Sequence, residues 1–180
     1  MTGQTGPANA GQQNGSRWRV VGWSIAASLI VLPLVAMQFT REVNWTVGDF
    51  VFAIMMLGSV GLAFELVVRA SSNRNYRAGS AAALAGALLT VWVNGAVGMI
   101  GSEENAYNLL FFATIGIALA GSVVAKFRAQ GMAFAMLVAA AAQAAIALFG
   151  MGADPLGGTL STAFAGIWLL SAALFRRAAR

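Results

Sequence analysis

The uncharged stretch AQGMAFAMLVAAAAQAAIALFGMGA, residues Ala129–Ala153, is typical of a membrane-spanning helix. It is long enough to provide the roughly 20 mainly apolar residues that cross the hydrocarbon core of a bilayer. A comparable stretch, Asp49–Arg69, has a single charged residue inside it, Glu65. Further stretches with no charge at all lie at residues 20–40, 78–102, 105–125 and 155–175.

The composition of the whole chain favours one fold class, an all-α integral membrane protein with six transmembrane helices. Of the 180 residues, 59% are hydrophobic and 9% are charged, whereas a soluble domain has about 25% charged residues. The apolar runs are continuous and lack the alternation of membrane β-strands. Backbone groups in lipid must be satisfied within the protein, so these runs are expected to be helical. We predict helices at residues 20–38, 47–68, 79–100, 107–125, 131–150 and 156–175.

The start of the chain differs from the rest. Residues 1–16 are polar and have no hydrophobic period, so we predict a disordered tail followed by a six-helix transmembrane bundle over residues 17–180. The first apolar run is alternatively a cleaved signal peptide that ends at Ala36. The long leading tail and the large Leu34, two residues before that position, favour a retained helix.

The charges between the helices indicate the orientation of the chain. With six helices, every basic residue except Arg41 falls on one side, and every acidic residue except Glu65 falls on the other. We expect Arg41 to pair with Glu42. Lys and Arg in short loops mark the cytoplasmic side, so the N- and C-termini are both predicted to be cytoplasmic. The basic residues of that side are Arg17, Arg19, Arg69, Arg74, Arg77, Lys126, Arg128, Arg176, Arg177 and Arg180.

Two missing residue types narrow the chemistry. The chain has no Cys and no His, which removes thiol chemistry and the residue most often used as metal ligand or general base. We therefore predict no cofactor, no metal site and no enzymatic activity. The net charge of +5 would suggest nucleic acid in a soluble protein. The positive-inside rule accounts for it here, and we predict no nucleic-acid partner.

Glu65 is the one acidic residue predicted to lie well inside a span. It lies about 9 Å from the centre of its helix, within the hydrocarbon core near the cytoplasmic edge. Arg69 follows four residues later on the same helical face, so the two side chains are expected to pair. Because an acid within the membrane is by default a candidate functional group, a proton or cation site is the alternative interpretation.

Asn94 and Gln143 are predicted to lie at similar depths on the third and fifth helices. Asn94, Gly98 and Gly101 are spaced to share one helical face, where the glycines would allow a close approach of helices. We predict a hydrogen bond between the two amides. A solute-binding role for the amides is the alternative.

The segment Gly101–Asn108 and Asp154 supply oxygen atoms on the predicted outer side. A divalent cation is one interpretation, but no calcium-loop spacing occurs, and helix capping explains these residues more simply. We predict caps at Ser102, at Thr46 with Asp49, and at Asp154 followed by Pro155.

These observations predict a small polytopic protein of the bacterial inner membrane with a non-enzymatic structural or accessory role. The alternative is a small transporter or channel for a proton, an ion or a small solute, with Glu65, Asn94 and Gln143 along its path. The expected partners are the lipid bilayer and a second copy or another membrane subunit. Spacings of small residues that suit helix packing occur at Ala83 with Ala87 and at Gly116 with Ala120.

Overall fold

A computed structural model describes residues 8–41 and 43–180 of the chain, with side chains from Val20 onward. All regular elements in these residues are helices. Five of them are long and apolar enough to cross a membrane, and the first contains a shorter apolar segment, Val20–Ala36, which is consistent with a helical membrane protein. The helices are α1 (Ala8–Ala36), α2 (Val47–Ala70), α3 (Arg74–Ala96), α4 (Leu109–Val124), α5 (Ala129–Gly150) and α6 (Pro155–Ala178), and a short 3₁₀ helix (Ala106–Asn108) precedes α4.

The first helix begins at Ala8, within the tail that was predicted to be disordered. Residues 8–16 contain Ala and Gln, which favour helix, and extending an existing apolar helix avoids the cost of nucleating a new one. Met1–Pro7 and Glu42 lie outside the described residues, as do the side chains of Arg17 and Arg19. The predicted pairing of Arg41 with Glu42 therefore stays a prediction.

The chain divides into two compact units, the first ending at Ala63 and the second comprising Phe64–Arg180. A single six-helix bundle over residues 17–180 was predicted. In the second unit, α5 packs against α4 and α6, α6 packs against α3, and α3 meets α4 over a shorter stretch. These four helices therefore enclose a common core, in which Phe111, Met136, Trp168 and Phe175 are almost completely buried.

The third helix is shorter than the sequence suggested. It ends at Ala96, and Gly98 and Gly101 follow it with positive φ angles of 77° and 72°. Glycine adopts this left-handed conformation without the steric penalty of other residues and commonly terminates helices. The prediction that Asn94, Gly98 and Gly101 share a helical face was therefore wrong. The chain turns inward instead and buries Met99 and Ile100.

Glycines let the helices of the second unit approach closely. A Cβ atom added at Gly79 would lie 3.2 Å from the ring of Phe175, and one added at Gly121 would lie 2.6 Å from the Cβ atom of Ala135. Of the two small-residue spacings in the sequence, Ala83 and Ala87 pack against this core. Gly116 and Ala120 are exposed instead, so the first of the two spacings is the one that packs into the core of the second unit.

Some of the predicted helix caps are present in the structure. Asp49 accepts hydrogen bonds from the backbone and hydroxyl of Thr46, and Asp154 accepts one from the N–H of Gly157 at the start of α6, both as predicted. Ser102 was wrongly predicted as a cap, because Asn105 takes that place and accepts a hydrogen bond from Tyr107 N–H. An Asn side chain caps as well as a Ser side chain does, and the sequence contains both within four residues.

Candidate functional site

Glu65 and Arg69 lie one helical turn apart on α2, and the structure pairs them. Both Nε and a terminal nitrogen of Arg69 lie 3.0 Å from Oε1 of Glu65. The Glu65 side chain is 13% exposed, whereas that of Arg69 is 67% exposed. The pair therefore reaches from a partly covered position to the surface of the chain.

The turn that follows this pair is held by side chains that bond to the backbone. Arg77 Nε donates to the carbonyl oxygen of Ser71 at 2.6 Å, and a terminal nitrogen of Arg77 donates to that of Val68 at 2.7 Å. Asn73 caps α3 by accepting hydrogen bonds from the N–H groups of Asn75 and Tyr76. Arg77 thus satisfies carbonyl groups at the C-terminus of α2 that have no partner within the helix.

The basic segments of the second unit meet at one end of the bundle, here called the basic end. Asn73 Nδ2 donates to the carbonyl oxygen of Ala178 at 3.4 Å, and Tyr76 Oη donates to that of Phe127 at 2.8 Å. These bonds join the turn between α2 and α3 to the end of α6 and to the turn between α4 and α5. The basic residues in these segments are Arg69, Arg74, Arg77, Lys126, Arg128, Arg176, Arg177 and Arg180.

The opposite end, here called the acidic end, is built around the loop of residues 97–105. Asn108 accepts a hydrogen bond from Ile100 N–H at 2.8 Å and donates to the carbonyl oxygens of Ile100 and Ser102. Asp154 accepts one from Gly101 N–H at 2.9 Å. The two hydrogen bonds from Gly101 and Gly157 hold the pKa of Asp154 below its usual value, because they favour the charged carboxylate.

The polar side chains of the acidic end cap helices and hold the loop by hydrogen bonds to its backbone. Asn105, Asn108 and Asp154 direct their side chains at backbone groups. Among the described residues, no group of three or more His, Cys, Asp or Glu side chains is placed to hold a metal ion. The capping interpretation of this segment is therefore the one that its hydrogen bonds support.

The predicted hydrogen bond between Asn94 and Gln143 is not formed. Neither side-chain atom of Asn94 has a hydrogen-bond partner, although the residue is only 5% exposed. Gln143 donates from Nε2 to the carbonyl oxygen of Ser161 at 3.2 Å, while its Oε1 has no partner. Because α3 ends at Ala96, Asn94 lies in its last turn instead of the middle of a long helix, and the expected amide pairing was based on a longer helix.

Two further buried polar groups, which were not predicted, also lack a hydrogen-bond partner. Thr114 Oγ1 on α4 and Trp168 Nε1 on α6 are buried without a hydrogen-bond partner. A buried uncharged polar group without a partner costs roughly 1–3 kcal/mol, so such groups are unusual in a folded core. The sequence contained a signal for Thr114, since it is spaced at helical intervals with Phe111 and Ala118 on the buried face of α4.

The polar path that was predicted through Glu65, Asn94 and Gln143 stays a prediction. Glu65 is paired with Arg69 on α2, whereas Asn94 and Gln143 belong to the interior of the α3–α6 bundle. Comparison with known proteins finds no matching family model, no matching curated protein and no matching solved structure.

Proposed function

We propose that this chain is a non-enzymatic membrane protein with six spans that serves a structural or accessory role in a bacterial inner membrane. The observation that carries this proposal is the pairing of Glu65 with Arg69. An acid inside a span is costly unless it is paired or lines a water-filled path. A pair that reaches the surface provides the first solution, so Glu65 needs no transported proton or ion to explain it.

The positions of the charges support the proposed orientation. The basic end of the second unit gathers three separate basic segments, and the acidic end carries Glu103, Glu104 and Asp154. Because Lys and Arg in short loops lie on the cytoplasmic side of a bilayer, this arrangement favours a C-terminus in the cytoplasm. With Val20–Ala36 as a first crossing, the N-terminus lies there as well.

The orientation is tested by labelling single cysteines, which the natural chain makes simple because it contains none. Ser72 lies in the turn at the basic end, Glu103 lies in the loop at the acidic end, and both are exposed. The two variants are Ser72→Cys and Glu103→Cys. In intact cells, a membrane-impermeant maleimide should label Glu103→Cys and leave Ser72→Cys unlabelled until the cells are opened. The reverse pattern would contradict the orientation.

An outward face of small residues on α4 supports association with another membrane subunit or a second copy. Ala113, Gly116 and Ala120 are all exposed, and a Cβ atom added at Gly116 would meet no atom within 4 Å. In lipid, small residues allow helix backbones to approach closely, and van der Waals packing then holds the helices together. Self-association through this face fits a structural role.

Cysteine crosslinking in membranes tests this role. We expect Gly116→Cys to form disulfide-linked dimers on mild oxidation. Ala83→Cys provides the matched control, since Ala83 packs against the core of the same bundle and should give none. If neither variant crosslinks, and the purified protein in lipid nanodiscs has the mass of one chain without a partner, the proposed role is contradicted.

The second candidate is a small transporter or channel that uses Glu65, and the unpartnered polar atoms inside the bundle are the observation that favours it. Replacing Glu65 by Gln separates the two candidates. In a transporter, Glu65→Gln abolishes a proton or solute flux into proteoliposomes while Arg69→Ala retains it. In a structural protein, no flux changes, and both variants affect only the free energy of unfolding.

A further inference from the structure

We propose that the basic end of the second unit binds an anionic phospholipid with two phosphate groups, diphosphatidylglycerol. Two groups of exposed cations, which Tyr76 joins, hold its phosphates, and the exposed apolar side chains beside one group contact its acyl chains. The proposal goes beyond the structural role above and does not involve Glu65. It rests on apolar helices that are long enough to cross a bilayer.

Two arginines of the basic end already have partners within the chain. Arg69 pairs with Glu65, and Arg77 donates to two carbonyl oxygens at the end of α2 and just beyond it. Six other cations are exposed, and none of the residues that the structure describes bonds to their side-chain nitrogen atoms. These available cations are Arg74, Lys126, Arg128, Arg176, Arg177 and Arg180.

The second unit has no acidic residue of its own to neutralise these cations. Its acids other than the paired Glu65 are Glu103, Glu104 and Asp154, which belong to the acidic end. Like charges gathered at one end of a bundle repel one another and destabilise the compact state. An anionic partner that binds the folded protein relieves this repulsion and raises its stability.

The first group of cations, Lys126 and Arg128, is called the turn pair. Tyr76 Oη donates to the carbonyl oxygen of Phe127, the residue between them, at 2.8 Å. In the same turn Val124 is 83% exposed and Phe127 is 59% exposed. Basic and large apolar side chains at one surface are typical of contact with anionic lipid. An acidic peptide or a nucleic acid would bind the cations and leave the apolar side chains uncovered.

The second group, Arg176 and Arg177, is called the α6 pair. Both residues directly follow Phe175, whose ring packs edge-on against the ring of Tyr76 with 5.1 Å between the centroids. Tyr76 therefore contacts the turn pair's backbone with its hydroxyl and the start of the α6 pair with its ring. The two groups of cations are held at one end of the bundle by the same side chain.

Arg74 is held beside the α6 pair. Asn73 Nδ2 donates to the carbonyl oxygen of Ala178 at 3.4 Å, which joins the start of α3 to the end of α6. Arginine binds phosphate with two parallel hydrogen bonds. Each group of cations can therefore bind one phosphate, and a lipid with two phosphates on one glycerol satisfies both groups at once.

Unfolding of the whole chain in lipid nanodiscs tests the proposal. The bilayers are phosphatidylcholine alone, and phosphatidylcholine with either phosphatidylglycerol or diphosphatidylglycerol at equal phosphate charge. Diphosphatidylglycerol at about a hundred times its dissociation constant should raise the unfolding temperature by about 5–10 °C. Phosphatidylglycerol should give a smaller rise, because two molecules must be held in place of one.

Three results of this measurement overturn the proposal. Equal rises with the two lipids would show a general attraction to an anionic surface. No rise with diphosphatidylglycerol would show that the cations hold no lipid. Inorganic phosphate added to phosphatidylcholine nanodiscs should give no rise, since it has no acyl chain, and a rise equal to that with diphosphatidylglycerol would show a site for free phosphate.

Double substitutions test the two groups of cations separately. Lys126→Gln with Arg128→Gln should remove at least half of the rise with diphosphatidylglycerol, and Arg176→Gln with Arg177→Gln should do the same. Arg41→Gln is the matched control, because Arg41 is an exposed cation of the first unit, and it should retain the full rise. An undiminished rise in either double variant would overturn a site with two phosphates.

Lys126→Gly keeps the proposal testable when a double variant does not fold. Lys126 has a φ angle of 48°, a conformation that glycine adopts more easily at the end of a helix. In phosphatidylcholine this variant should keep or raise the unfolding temperature, because the relief of strain offsets the loss of a cation at the end of α4. The rise with diphosphatidylglycerol should become smaller, and an unchanged rise would overturn the proposal.

Discussion

The basic and acidic ends of the second unit connect their helices in different ways. At the basic end, the short turn before α3 is held by Arg77 and capped by Asn73 through bonds to groups within nine residues. Asn73 and Tyr76 also donate to the distant carbonyl oxygens of Ala178 and Phe127. At the acidic end, the loop of residues 97–105 depends on side chains from elsewhere, including Asp154, which is 53 residues from Gly101. The comparison teaches that local side chains satisfy the backbone of a short turn, with distant bonds joining that turn to other helices, whereas the backbone of a longer loop itself needs a distant side chain.

Among the substitutions that test this difference between the two ends, the largest effect is expected at Gly98 in the acidic-end loop. An added Cβ atom would lie 2.5 Å from the backbone of Ser102, and the φ angle of 77° is unfavourable for any other residue. We expect Gly98→Ala to lower the free energy of unfolding by about 2–4 kcal/mol, measured by unfolding in nanodiscs. Gly95→Ala, with nothing within 4 Å, should instead stabilise α3 by about 0.5–1 kcal/mol. Equal effects at the two positions would contradict the described loop.

A second comparison replaces one asparagine at each end. Asn108→Ala leaves the N–H of Ile100 without its partner and removes one of the hydrogen bonds to each of the carbonyl oxygens of Ile100 and Ser102, which Asn105 still contacts. We expect it to cost about 1–3 kcal/mol. Asn73→Ala removes a helix cap at the basic end and should cost about 1 kcal/mol. Both costs are measured by the same unfolding assay, and a larger loss for Asn73→Ala would reverse the contrast between the ends.

The smallest expected effect is a dependence of stability on acid pH that arises from Asp154. Its folded pKa is lowered by the N–H groups of Gly101 and Gly157, so its contribution is present above the unfolded pKa. That contribution is lost as the pH falls from the unfolded value, about 3.9, through the lower folded value. We expect the wild-type unfolding temperature to fall over this range more steeply than that of Asp154→Asn.

Asn73→Ala is the control for the acid measurement, because it leaves Asp154 unchanged and should retain the wild-type slope. A slope in Asp154→Asn equal to that of the wild type would show that the acidic end is not stabilised by this carboxylate.

The sequence alone determined the helical class, most helix bounds, and the caps and ion pair that form between near neighbours in the chain. Long uncharged runs have one solution in lipid, and capping residues act within a few positions, so Asp154 with Pro155 and Glu65 with Arg69 could be read directly. The end of α3 at Ala96 was missed because the glycines beyond it are compatible with a packed helix as well as with a left-handed turn.

Only the tertiary structure decided which distant polar residues meet. It directed Asn108 to the loop and linked Asp154 to Gly101. It also left the side-chain amide of Asn94, the hydroxyl of Thr114 and Oε1 of Gln143 buried without hydrogen-bond partners. These outcomes depend on the rotation and register of helices that are far apart in sequence. The apolar surfaces that bring such helices together are nearly uniform along these runs, so the order of residues specifies the helices but does not by itself show which polar groups will face one another.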